Sequence, residues 1–204
     1  MKDFPIVRIE DFYSFKKGEQ ARVRRNVIDQ IKRAEWDNNY VLKKDTFTKK
    51  LYQNFVNTAQ KHLNPFTLRS NNRDSCFAVA SNKDFIPSVN WHNHILSSSI
   101  NSVYYLHIPK DMEGGEIEFK SKRKDILKIT PRTNELYIFP GWLWHNPINV
   151  KSKELRLSIN MEICTMEKMD DIFSLLLCLS LRKLFKRGIT KESNALCCCV
   201  SHSK

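Results

Sequence analysis

His92 and His94 stand one residue apart, a third histidine follows far along the chain at His145, and Arg156-Leu157-Ser158 comes soon after it. Only six histidines occur in 204 residues, so this grouping is a large share of all the imidazole available. Two ligands at i and i+2 on a strand edge, or on the loop beside it, can point at one ion. A third from a distant strand completes one triangular face of an octahedron and leaves the opposite positions open, the arrangement that suits a mononuclear iron site. Arg156 lies on a strand-like segment, and its planar guanidinium can hold a carboxylate with two parallel hydrogen bonds.

The organisation around these residues is legible from periodicity. Ile6-Val7-Arg8-Ile9 reads as a short strand. Val23, Val27, Ile28, Ile31 and Trp36 fall near helical spacing and predict a helix over 19–36. Leu51, Phe55, Ala59 and Leu63 recur every fourth residue and predict a second helix over 46–63, with Pro65 ending the run. Each helix has one apolar stripe, so each should lie on something flat and apolar. After Pro65 the texture changes to short strands, at 76–80, 88–92, 100–108, 116–119, 127–130, 135–139 and 155–163, with Gly114-Gly115 as a hairpin turn. Helices first and many short strands afterwards predict a mainly β fold: a double-stranded β-helix (jelly roll) with the N-terminal helices packed on one sheet. The helices fall within about 15–64 and the strands within about 74–165, so 1–165 reads as one domain and 166–204 as a C-terminal extension.

The last strand carries the most information. Leu155, Leu157, Ile159, Met161 and Ile163 alternate with Arg156, Ser158, Asn160 and Glu162, so one face packs into a core and the other presents a cation, a hydroxyl, an amide and a carboxylate. An ordinary solvent-facing strand shows the same alternation, and it is the nearby His145 that points to a cavity.

The stretch from about Trp91 to Ile163 resembles the 2-oxoglutarate/iron(II) oxygenase superfamily. The segments that carry the likeness, in order, are His92-Asn93-His94, Ser102-Val103-Tyr104-Tyr105-Leu106, Gly114-Gly115-Glu116-Ile117-Glu118-Phe119, Leu136-Tyr137-Ile138-Phe139-Pro140, Trp144-His145-Asn146-Pro147 and Arg156-Leu157-Ser158-Ile159. Within the superfamily the chain is most similar to oxygenases of phage and marine bacterial genomes with a His-any-His variant of the metal motif, and more distantly to prolyl hydroxylases. The resemblance implies an iron(II)- and 2-oxoglutarate-dependent dioxygenase that hydroxylates a substrate, for instance a peptidyl residue, with release of succinate and carbon dioxide. It implies His92, His94 and His145 as metal ligands, and Arg156, Ser158 and Tyr105 as the residues that bind 2-oxoglutarate. Dioxygen is the other co-substrate, and ascorbate is compatible as an auxiliary reductant. The superfamily pattern has Asp or Glu where this chain has His94, which raises the net charge of the site by one. His94 as a bystander, with water completing the coordination, stays open. Two other readings also stay open: a cupin-like three-histidine dioxygenase that does not use 2-oxoglutarate, and a non-catalytic jelly-roll binding domain.

Composition leaves the prime substrate open among peptide, nucleic acid and small molecule. The net charge of +12 permits an acidic partner, yet solvated faces and a charged hairpin are the plainer account even of the densest basic runs, Lys43, Lys44, Lys49 and Lys50, and Lys120, Lys122, Arg123 and Lys124. The six cysteines do not form a disulfide framework: Cys76 and Cys164 fall in apolar strand-like runs, and Cys197-Cys198-Cys199 cannot pair comfortably among themselves. Met1-Lys2-Asp3-Phe4-Pro5 opens into a charged segment, so a reducing cytoplasm is the expected compartment. Residues 172–181 are nearly all apolar but too short to span a bilayer; a docked helix and a membrane-surface anchor are both compatible with them. His62 and His107 read as structural histidines, His107 with no evident partner. Trp91, Trp142 and Trp144 either wall the pocket or simply pack.

Overall fold

The computed structural model describes residues 4–35, 40–63, 76–86 and 90–165. The readings that fall on Trp36, Pro65, Ser88, Cys178, the cysteine triplet and the rest of 166–204 lie outside these residues.

Alternation of side chains along the long strands builds the fold. In β4 (Ile100–His107), Ile100, Tyr104 and Leu106 face one way, while Val103 and Tyr105 face the other. In β8 (Glu135–Pro140), Leu136 and Ile138 are likewise separated from Tyr137 and Phe139. A strand apolar on both faces must be covered on both, and these two are neighbouring interior strands of a six-stranded sheet. Its order is β1 (Val7–Ile9), β8, β4, β11 (Arg156–Ile163), β3 (Cys76–Ser81) and β2 (Tyr40–Val41), every pairing antiparallel.

The helices cover the outer face. In α1 (Glu19–Arg33) the buried stripe is Val23, Val27 and Ile31. In α2 (Thr46–His62) it is Leu51, Phe55, Val56 and Ala59. Asp45 caps α2: its side chain accepts from the Thr48 backbone N–H, and the Thr48 hydroxyl accepts from the Asp45 backbone N–H. That capping box contributes about 1 kcal/mol. Gln30 of α1 accepts the Lys43 backbone N–H at 2.9 Å and so ties α1 to the segment that leads into α2. The stripes pack with Tyr104, Ile138, Leu157, Ile159 and Met161 into one apolar cluster. Full burial of each such side chain is worth roughly 1.5–3 kcal/mol.

The inner face meets smaller sheets. β6 (Ile117–Lys120) runs between β7 (Ile126–Ile129) and β9 (Trp144–Pro147), and β5 (Glu113–Gly114) pairs with β10 (Val150–Lys151). Ile117 and Phe119 point inward and pack on Val103, Tyr105, Tyr137 and Phe139, with the Phe119 and Phe139 rings 5.1 Å apart. A large antiparallel sheet facing two smaller ones, with helices on its back, makes the expected jelly roll.

Several local expectations are corrected. Helix α1 ends at Arg33, short of residue 36. Gly114-Gly115 does not close a hairpin: both glycines have positive φ (70° and 75°), and they kink the chain between β5 and β6, whose partners differ. A Cβ on Gly114 would stand 2.4 Å from the Asn149 carbonyl oxygen, so only glycine fits there. His107 does have a partner, with its Nε2 3.3 Å from Glu154 Oε2. Trp142 and Trp144 are 39% and 47% exposed and do not line the cavity described below.

Candidate metal centre

Three local devices bring the histidines together. On β9, Trp144 is exposed and His145 buried, as alternation requires. His92 forms an isolated antiparallel bridge to His145, each backbone N–H donating to the other's carbonyl at 3.0 and 2.9 Å. The His94 backbone N–H donates to the Gly141 carbonyl at 2.7 Å. That contact needs Gly141, since a Cβ there would lie 2.0 Å from the Ser98 carbonyl oxygen. The Phe139-Pro140-Gly141-Trp142 turn thus seats one end of the 92–98 segment while β9 holds the other.

The ring centroids are 4.1 Å apart for His92 and His145, and 5.2 Å apart for both His92–His94 and His94–His145. One nitrogen from each ring lies within 4.8 Å of the others. The hydrogen bonds indicate which nitrogen. His92 Nδ1 sits 2.8 Å from the Asn90 carbonyl oxygen, and His145 Nδ1 sits 3.1 Å from that of Leu143. His94 Nδ1 sits 3.1 Å from Glu162 Oε1. The two carbonyl oxygens can only accept, so Nδ1 of His92 and of His145 carries the proton and Nε2 of each keeps its lone pair. Burial pushes His145 down to about 3, with His92 and His94 adding to the effect against the Leu143 hydrogen bond. Burial also lowers His92. Neutral imidazole is the form that binds a metal.

Behind the histidines lies a cavity of about 340 Å³, at the small end of the ~300–1,000 Å³ usual for small-molecule sites. His92, His94, His145, Tyr105, Arg156 and Ser158 all line it, so every site residue expected from sequence shares one hollow. Arg156 is 3% exposed and donates from Nη1 to the Gly115 carbonyl at 2.9 Å, while its buried Nε has no hydrogen-bond partner among the described residues. Burial lowers this guanidinium below its ordinary value, and Tyr105 opposes that. Burial in turn pushes Tyr105 up to about 12, with Arg156 acting against it. A buried cation short of a partner is costly unless an anion joins it. The rest of the wall is largely apolar, including Phe77, Val79, Val103 and Ile117.

Glu162 received no role from the sequence. Its signal was there, in its alternation onto the same face of β11 as Arg156 and Ser158, but its contact with His94 depends on how a distant loop docks.

Three imidazoles around one point, beside a buried arginine whose Nε has no partner among the described residues, can hold a divalent ion and a carboxylate-bearing molecule together. No protein-family model matches the sequence, and no curated protein matches it. Among solved structures the chain is similar to a prolyl hydroxylase from Trichoplax adhaerens in complex with a peptide fragment of the hypoxia inducible factor oxygen degradation domain. The identity is 12%, covering 80% of this chain and 84% of that one, with a TM-score of 0.58. A prolyl-4-hydroxylase from Pseudomonas putida matches at 12% identity over 80% and 94% of the two chains, TM-score 0.55. Prolyl 4-hydroxylase from Phytophthora capsici matches at 12% over 89% and 70%, TM-score 0.58. At such identity these likenesses establish the jelly-roll fold and leave a phage or marine bacterial affinity untouched.

Proposed function

We propose that the chain is an iron(II)- and 2-oxoglutarate-dependent oxygenase that hydroxylates a peptidyl residue, with residues 1–165 as its catalytic domain. The observation that carries this reading is the shared cavity: three imidazoles with one nitrogen each within 4.8 Å of the others, and a buried arginine whose Nε has no partner among the described residues. In this reading His92, His94 and His145 hold iron(II). Arg156, with Ser158 and Tyr105, binds the far carboxylate of 2-oxoglutarate. When bound, the iron supplies activation of dioxygen coupled to decarboxylation of 2-oxoglutarate to succinate and carbon dioxide, the oxidation that hydroxylates the substrate.

The chain's own residues do the rest. The hydrogen bonds at Nδ1 hold His92 and His145 in one tautomer and one orientation before the ion arrives, and Glu162 stands 3.1 Å from Nδ1 of His94. The Arg156 guanidinium presents a charged donor to a carboxylate in a dry site, where such a hydrogen bond is strong. Phe77, Val79, Val103 and Ile117 keep water from the reacting groups. A peptide substrate is favoured because the Trichoplax adhaerens enzyme, similar in fold, was solved with a peptide.

Anaerobic reconstitution with iron(II), then exposure to oxygen and 2-oxoglutarate with ascorbate, should release succinate, and more of it when the right peptide is present. Peptides, oligonucleotides and free amino acids form the substrate panel. The three-histidine set also suits a dioxygenase that cleaves its own substrate without 2-oxoglutarate. Oxygen consumption without succinate would replace the main reading with that one. Protein that takes up no iron would point to a non-catalytic binding domain.

A further inference from the structure

We propose that Glu162 is the carboxylate of this metal centre, acting through one imidazole: it positions His94 and supplies the negative charge that three neutral histidines lack. The inference rests on the metal reading above and deepens it. Three imidazoles bring no charge to a dication, whereas a partly buried ion is held better where anionic charge is close. Glu162 Oε1 lies 3.1 Å from His94 Nδ1, and the two side chains are 17% and 26% exposed. The other two histidines give their Nδ1 protons to backbone carbonyls, at Asn90 and Leu143. A carboxylate acceptor differs from a carbonyl, since it makes the opposite nitrogen of the ring a stronger donor to a metal while fixing the plane of the ring.

The placement of Glu162 has a cause in the fold. It pairs with Asn101 near the end of β11, and alternation turns it to the same side as Asn160, Ser158 and Arg156. His94 is docked from the other direction by Gly141. The pair therefore bridges β11 of the large sheet and the histidine-bearing segment, and the carboxylate faces the cavity rather than bulk solvent. Arg156 and Glu162 stand on one strand face with opposite charges, the first suited to an organic anion and the second to the ion's side of the hollow.

The test titrates cobalt(II), as a spectroscopic stand-in for iron(II), into the full-length metal-free chain and reads affinity by calorimetry and ligand geometry from the visible bands. Glu162→Gln should weaken cobalt binding by roughly 10- to 100-fold, the usual effect of removing a partner of a ligating histidine. The band positions should stay, because the same three nitrogens ligate. Glu162→Asp should recover part of the loss. In a His94→Asp background, where a carboxylate ligates directly, Glu162→Gln should cost little. Thermal midpoints of the metal-free variants separate a structural role from this one, since a role in folding alone would lower them and leave affinity per folded molecule unchanged. Undiminished affinity in folded Glu162→Gln, or an equal loss in the His94→Asp background, overturns the inference and leaves the metal reading standing. If Glu162→Gln does not fold, Glu162→Asp decides, with undiminished binding and shifted bands counting against the proposal. A wild-type chain that binds no cobalt ends the metal reading and this inference with it.

Discussion

Arg156 is the residue on which the co-substrate assignment turns. It is 3% exposed, keeps one hydrogen bond to Gly115, and leaves Nε unpaired among the described residues. Truncating one partner of a buried, hydrogen-bonded charge pair costs about 2 kcal/mol or more, so Arg156→Ala should raise the half-saturating 2-oxoglutarate concentration at least roughly thirtyfold. Arg156→Lys keeps the charge but loses the fork, and should fall between the two. Titrating 2-oxoglutarate against succinate release reads both, and an unchanged half-saturation for Arg156→Ala would remove the arginine from the co-substrate site. The candidate residues were legible at this scale because each belongs to a type with few uses in that setting: histidines at i and i+2, an arginine alternating with core residues. Glu162 was not, because a carboxylate on a strand is the ordinary solvent-facing case. Only the 3.1 Å approach of His94 distinguishes it.

At the scale of elements, long strands declared themselves and short ones did not. Residues 100–107 and 156–163 span eight residues each, enough for alternation to be read. β2, β5 and β10 have two residues apiece, too few to show any period, and only their partners make them strands. β1 is the informative intermediate. It was visible as an apolar run, but the interaction that fastens it to β8 is polar. Glu135, 2% exposed, accepts hydrogen bonds from the Arg8 guanidinium, from the Tyr137 hydroxyl at 2.6 Å and from the Arg132 backbone N–H at 2.9 Å. Burial by itself would raise this carboxyl, but those hydrogen bonds outweigh it and hold it below its ordinary value of 4.5. A carboxyl whose value is depressed on folding stabilises the native state fully above 4.5, and that contribution is lost as pH falls through the folded value. Glu135→Gln should therefore destabilise the protein by about 1–3 kcal/mol near neutral pH. The difference from wild type should shrink as the solution is made acid. Urea unfolding at several pH values measures it, and a gap that stays constant into acid would show that the charge of Glu135 is not what secures β1.

For the whole molecule, the division of labour between the two faces of one sheet is the main point. The outer face, under α1 and α2, is an apolar cluster that includes Leu51, Phe55, Tyr104 and Met161 and carries the stability. The inner face is apolar along β8 and β4 and turns polar along β11, where the cavity lies. The fold class was legible because this asymmetry is written as alternation; the pairing order of the sheets was not, since it depends on contacts between distant segments. The histidines sit where the minor sheet meets the 92–98 loop, so an ion held there should lock together parts of the chain that are far apart in sequence. Because the unfolded chain cannot present the three rings at one point, binding draws on the folded state alone. An ion at a hundred times its dissociation constant then adds about 2.7 kcal/mol to stability. For a domain of this size that corresponds to a rise of roughly 5–10 °C in Tm. Manganese(II), redox-stable under air, should produce this rise in a thermal melt, and EDTA should reverse it. His145→Ala should abolish the rise. His107→Ala should leave it intact, because His107 faces Glu154 rather than the cavity. An equal rise in the His145→Ala variant would mean that the ion binds elsewhere, and the three-histidine centre would have to be given up.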